Sequence, residues 1–208
     1  FDMGDFTNSI EMFNQSIKIK EKLQDTKGQV SSLFNRGKTF FFDQSYQSSI
    51  YDFRLSSYLA NFEPNTQKSN RFIGMAHFYL ANHDSSISYL KDSFEYYSND
   101  SQKKLSILPF LILSYTKLND KNNSMRYLEE FNQGMNEEDP HPDDYILTNW
   151  MAYIALKDSK YKDEASEYLE NAYLQLKTES KNIKNKKDRN KFLKTKFNQK
   201  IIETFKQN

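Results

Sequence analysis

The sequence predicts an all-α fold: an α-α superhelix, or solenoid, built of antiparallel helix pairs. Three observations carry this prediction. First, five times a small residue is followed one, four and seven places on by a packing residue: Ser9-Ile10, Phe13, Ser16; Ser49-Ile50, Phe53, Ser56; Ser86-Ile87, Leu90, Ser93; Ser124-Met125, Leu128, Phe131; and Ala165-Ser166, Leu169, Ala172. The small anchors stand 40, 37, 38 and 41 residues apart. A period of this size marks stacked supersecondary units, none of which can bury its apolar face alone. Second, upstream of four of these anchors lies another apolar segment with three- and four-residue steps, the mark of a helix with one face turned to a neighbour. Third, five Gly and four Pro in 208 residues are too few for an all-β chain full of tight turns.

Taken in order, the spacing predicts helices over 6–22, 29–43, 46–60, 67–81, 84–97, 102–118, 121–133, 143–158 and 162–178. The upstream segments are Leu33, Phe34, Gly37, Phe40, Phe41; Phe72, Ile73, Gly74, His77, Phe78; Leu108, Leu111, Ile112, Tyr115; and Leu147, Trp150, Met151, Ala152, Ala155. A turn signal precedes each anchor: Gly4-Asp5-Phe6, Gln44-Ser45-Tyr46, Ala81-Asn82-His83, Asn119-Asp120-Lys121 and Ser159-Lys160-Tyr161. Small residues at Gly37, Gly74, Ala152 and the Ser/Ala anchors permit helices to cross closely, and the large residue four places after an anchor fills the gap beside the next helix. The stretch 133–144, with Gly134, two prolines and five acidic residues, reads as a surface loop. From Lys181 the pattern changes: Phe192, Leu193, Phe197, Ile201 and Phe205 recur at helical steps among lysines, which predicts a basic amphipathic helix capping the array. The domain organisation is thus a repeat array over 1–180 and a cap over 181–208. The chain enters its first unit halfway and does not begin with Met, and so reads as a piece of a longer protein.

In these motifs the chain resembles the tetratricopeptide repeat family. Gly37 with Phe40 and Gly74 with His77 match that family's first-helix pair; Gly4-Asp5-Phe6 matches its turn; Ser9-Ile10, Phe13 and Ser16-Ile17 match its second helix. The likeness covers residues 1–176. Ser stands where Ala is usual, Lys121 replaces a turn aromatic, and Pro109 lies inside a first helix. Residues 26–30 and 61–66 lengthen the units to the roughly 40-residue form that is similar to repeats of bacterial signalling proteins. The resemblance implies a non-enzymatic scaffold whose first helices line a concave groove that binds a protein or peptide. Its groove positions fall here on Phe34, Lys38, Phe41, Phe42, Arg71, Met75, Phe78, Tyr79, Leu113, Lys117, Asn149 and Tyr153, with about half expected to be buried between repeats. Their aromatic and cationic mix suits a peptide with apolar anchors and some acidic character. The carboxylate clamp of chaperone-binding members is missing, since Phe34, Lys38 and Phe72, or one unit on Arg71, Met75 and Phe110, occupy its places. The alternative function is a sensor or regulatory segment of a larger signalling protein of the cyclase or histidine kinase type.

Composition narrows the rest. Hydrophobic residues make up 37%, low for a sphere and tolerable in an elongated array, while 17 Phe and 14 Tyr supply bulky burial. With no cysteine, disulfides and thiolate chemistry are excluded, and a cytoplasmic location is expected. No apolar run approaches the roughly 20 residues of a membrane span. The net charge of +1 conceals a basic end: from Lys177 onward there are 11 Lys and Arg against 3 Asp and Glu, a local +8, leaving −7 elsewhere. That tail, 181–208, is the one candidate for nucleic acid, a partner less favoured than a plain cap. An exposed repeat edge at the N-terminus is compatible with a dimer. No glycine-rich phosphate loop, nucleophile elbow or paired histidine ligands appear, so no enzyme, cofactor or metal is expected. His77 reads as a packed repeat residue, His83 as a turn residue and His141 as part of the acidic loop.

Overall fold

The computed structural model of the protein describes residues 5–135, 144–158 and 161–207. Eleven helices account for most of them: α1 (Phe6–Lys22), α2 (Thr26–Phe42), α3 (Tyr46–Ala60), α4 (Glu63–Tyr79), α5 (His83–Tyr96), α6 (Ser101–Lys117), α7 (Lys121–Met135), α8 (Tyr145–Leu156), α9 (Lys162–Asn182), α10 (Lys186–Leu193) and α11 (Lys196–Gln207). No strand occurs among the described residues. The fold is all-α, with neighbouring helices packed in consecutive pairs.

Several boundaries differ from expectation for local reasons. α2 and α4 start at Thr26 and Glu63 rather than at 29 and 67, so most of the residues that lengthen the units, 26–30 and 61–66, are helical first turns. Asp25 caps α2 by accepting the Gly28 N–H at 2.9 Å, and a Cβ at Gly28 would collide with that carboxylate. α4 starts early because Pro64 sits in its first turn, where a missing N–H costs nothing. α7 runs through Gln133 and Gly134 to Met135; the remainder of the expected loop up to residue 143, His141 included, lies outside the described residues. The region 181–208, expected as one capping helix, forms two, α10 and α11, because Asn198 turns its amide back onto the Phe192 carbonyl at 2.8 Å and closes a tight corner. α6 continues unbroken through Pro109.

Four helix-to-helix corners share one geometry. Gln24, Gln44, Ala81 and Asn119 are left-handed, with φ of 55°, 67°, 59° and 60°. After each, the next N–H reaches back five residues, as in Ser45 to Phe40 O at 2.8 Å, Asn82 to His77 O at 3.0 Å and Asp120 to Tyr115 O at 2.9 Å. This is the helix-ending motif that glycine normally serves. A Cβ in this region costs about 1 kcal/mol, and Ala81 is exposed with nothing to compensate. Ala81→Gly is therefore expected to stabilise the protein by about 1 kcal/mol, read as a rise in the urea midpoint; an unchanged or lower midpoint would contradict the strain.

Among the described residues, Phe6–Tyr96 forms one compact unit, and Asp5 with those from Tyr97 onward forms the other. In the first unit each helix packs on its chain neighbours, and α2 also touches α4. The anchor serines register the pairs. Ser49 Oγ donates to Gly37 O at 2.9 Å and Ser56 Oγ to Val30 O at 3.1 Å. Seven residues forward on α3 thus meet seven residues back on α2, which makes the pair antiparallel. Ser93 repeats the second bond onto Gln67 O of α4 at 2.9 Å. Serine replaces alanine at these crossings because its hydroxyl finds a carbonyl acceptor across the interface. The first-helix glycines mark the same crossings: a Cβ at Gly37 would lie 3.0 Å from the Phe53 ring, and one at Gly74 only 2.6 Å from Leu90 Cγ.

In the second unit α6 packs on α7 and α8, α8 on α9, and α9 on α10 and α11. Ser124 Oγ donates to Ile112 O at 3.2 Å, the counterpart of the Ser49 bond. Ten consecutive residues of α6, Leu105 to Ser114, are buried. A further repeat signature is a ring pair twelve residues apart: His77 stacks on Tyr89 in the first unit (5.6 Å, 12°) and Tyr115 on Tyr127 in the second (5.7 Å, 18°).

Candidate binding face on the first helices

The expected groove residues are carried by α2 and α4 in the first unit and by α6 and α8 in the second. In the first unit they divide by depth. Phe34, Phe41, Arg71 and Met75 are buried. Phe34 lies 5.1 Å from Phe53 and 5.7 Å from Phe72, and Phe41 lies 5.8 Å from Phe72. These rings form the interface between α2, α3 and α4, because α2 is flanked both by its own partner α3 and by the next first helix, α4. Arg71 as a whole is only 4% exposed, and its guanidinium sits 5.2 Å from the Phe72 ring centroid.

Lys38, Phe42, Phe78 and Tyr79 stay half-buried at the surface. The Lys38 ammonium stands 5.3 Å from the Phe72 centroid. An exposed residue that the sequence spacing passed over, Lys68, stands 4.4 Å from the Phe34 centroid. Its signal was present: Lys68 precedes Arg71 by three and Met75 by seven, so all three share one stripe of α4. The α2–α4 face therefore consists of two phenylalanine rings under cations, with Phe42, Phe78 and Tyr79 beyond them. Tyr79 stacks on Tyr46 (4.9 Å, 5°). Burial pushes the Tyr46 phenol up to about 12 and the Tyr79 phenol well above its ordinary value, with Tyr46 adding to the effect. Both hydroxyls stay protonated and can donate throughout the neutral range.

In the second unit Leu113 and Asn149 are buried, Lys117 is exposed and Tyr153 is half-buried. Asn149 donates to Tyr145 O within its own helix at 2.9 Å, while its Oδ1 has no hydrogen-bond partner. Tyr153 lies against Trp150 at 5.6 Å. Here only Lys117 and Tyr153 offer side chains to a ligand. A separate cleft of about 360 Å³ lies between α6 and α7, lined by Ser98, Ser101, Leu105, Gly134 and the Lys104–Glu130 ion pair (2.9 Å). It contains none of the expected groove residues.

The other singled-out residues have plain surroundings. His77 is held below its ordinary pKa by burial and by the charge of Arg54, and both its ring nitrogens lack hydrogen-bond partners; it acts as a flat packing ring against Tyr89. His83 tilts against Phe78 at 5.6 Å. Among the described residues no three His, Cys, Asp or Glu side chains converge as a metal site, and no helix is long and apolar enough to cross a membrane. No protein-family model matches the chain, and no curated protein matches it.

Proposed function

We propose that the chain is a non-enzymatic, cytoplasmic scaffold of the tetratricopeptide type, and that the α2–α4 face binds a protein or peptide ligand. The observation that supports this most directly is the pairing of Lys38 with Phe72 and Lys68 with Phe34 on a buried ring network. Buried rings underneath fix the exposed side chains, so a ligand meets a rigid surface of aromatic edges and cations. A ligand with apolar side chains and carboxylates has complementary groups for both.

The burial pattern dictates the test. Phe41 and Arg71 are core residues, and their removal would unfold the unit and report nothing on binding. Lys38→Ala with Phe42→Ala is the informative variant. Peptides selected from a random displayed library against the native protein are expected to lose at least about tenfold in affinity for it, equivalent to roughly 1.4 kcal/mol. The comparison variant is Tyr51→Ala with Tyr58→Ala, on the exposed side of α3 where these rings are 65% and 80% exposed. If that pair weakens binding while the α2 pair does not, the face is wrongly assigned.

A further inference from the structure

The cap formed by α10 and α11 divides its residues sharply. Its apolar stripe is consumed in packing: Phe192 and Ile201 are buried, and the Phe205 ring lies flat on Tyr173 of α9 at 4.0 Å. Arg189 is spent on the Ile183 carbonyl at 3.0 and 2.8 Å, and Lys191 on Asp5. Every residue left exposed between 181 and 207 is Lys, Asn, Gln or Glu, and eight of them are lysines. None of the eight makes an ion pair among the described residues. The segment holds only two carboxylates, Asp188 and Glu203. Capping thus explains the apolar half of this region and leaves the lysines unaccounted for.

We infer that this lysine surface docks on the phosphate backbone of duplex DNA without reading its sequence. The alternatives lack their own requirements. A membrane-surface helix needs an apolar face to sink into lipid, and that face is already packed on α9. A protein interface needs aromatic or aliphatic anchors and is depleted in lysine, whereas no exposed apolar side chain remains here. Single strands are gripped by stacking bases on exposed aromatic rings, and the rings of the cap are sheltered. Lysines presented as mobile point charges without guanidinium forks or base-edge readers fit backbone neutralisation, which is electrostatic and sequence-independent. Lys186, Lys187 and Lys194 share one side of α10 and its exit, and Lys196 and Lys200 stand one turn apart on α11.

The test is fluorescence anisotropy of the whole chain with a labelled duplex of about 20 base pairs at low salt, independent of the α2–α4 proposal. Binding is expected with a dissociation constant of about 1–100 μM, equal for scrambled sequences, and weakening steeply with salt at a log–log slope of about −4. Lys186→Gln, Lys187→Gln, Lys194→Gln and Lys200→Gln combined should remove most of that slope, about one unit per lysine, and lower affinity by about a hundredfold. Lys18→Gln, Lys22→Gln and Lys27→Gln combined, all exposed on α1 and α2, should change affinity less than twofold. Unaltered helical circular dichroism in both variants separates lost charge from lost fold. Absence of duplex binding, equal binding by the four-lysine variant, preference for a single-stranded RNA of the same length, or binding to phosphatidylserine vesicles alone would each overturn the inference.

Discussion

Replacing Phe53 by alanine is expected to destabilise the first unit by about 3–5 kcal/mol. Phe53 is fully buried, with ring centroids 5.1 Å from both Phe34 and Phe72, so its loss opens a cavity where three helices meet. The partner of this ring across the crossing is a missing side chain. Gly37 leaves no room for a Cβ, which would stand 3.0–3.2 Å from three ring atoms of Phe53. Gly37→Ala alone should therefore overpack the crossing and cost about 1–3 kcal/mol. With Phe53 already alanine, the same substitution enters vacated space, and its cost should vanish or reverse. Urea denaturation of the four proteins closes the cycle, with an expected coupling of about 1–3 kcal/mol. Additive effects would mean that the glycine and the phenylalanine do not share one crossing.

Gly37 and Phe53 were legible in the sequence because they recur at fixed places in a period, as do Gly74 and Leu90. What such a period cannot supply is which neighbour covers each side of a helix. Phe41 and Phe42 are adjacent, yet one is 3% exposed and the other half-buried, since α2 contacts both its pair partner α3 and the next first helix, α4, as α6 contacts α7 and α8. For the same reason the face read as groove contains six core residues, Phe34, Phe41, Arg71, Met75, Leu113 and Asn149. Lys68 escaped because a lysine interrupts an apolar stripe even when its charge lies over a ring. The serine anchors read as mere substitutes for alanine until the structure paired Ser49, Ser56, Ser93 and Ser124 with carbonyls of the preceding helix. Helix starts are hidden where the opening turn is polar: Asp25-Thr-Lys-Gly28 carries a capping carboxylate and Glu63-Pro-Asn-Thr66 a first-turn proline, and neither has an apolar period.

Arg36 tests a different kind of crossing. In α4–α5 and α6–α7 the pair-register site is a stack of two rings; in α2–α3 a charge pair occupies the corresponding Asp52 position. Arg36 donates to both oxygens of Asp52 at 2.7 Å and to Asn14 of α1 at 2.6 Å, so one guanidinium ties three helices together. The Asp52 side chain is 1% exposed and that of Arg36 18%. Burial pushes the Asp52 carboxyl above its ordinary pKa, and the hydrogen bonds and charge of Arg36 pull it back. Arg36 in turn is held protonated by that carboxylate. Arg36→Met leaves burial unopposed and the carboxylate stranded, with an expected loss of about 3–5 kcal/mol at pH 7. The sign of the pH dependence follows from the raised carboxyl. Folded Asp52 then binds a proton that the unfolded chain does not hold until near pH 3.8, so between its folded value and that pH the variant gains stability as pH falls. Stability curves at pH 7 and pH 5 should show the deficit shrinking with acid. Arg36→Met combined with Asp52→Leu should recover most of the loss at pH 7, because two matched apolar side chains replace a pair whose desolvation cost rivals its attraction. A deficit that is the same at both pH values and persists in the double variant would show that Arg36 acts by shape alone and that Asp52 carries no buried charge.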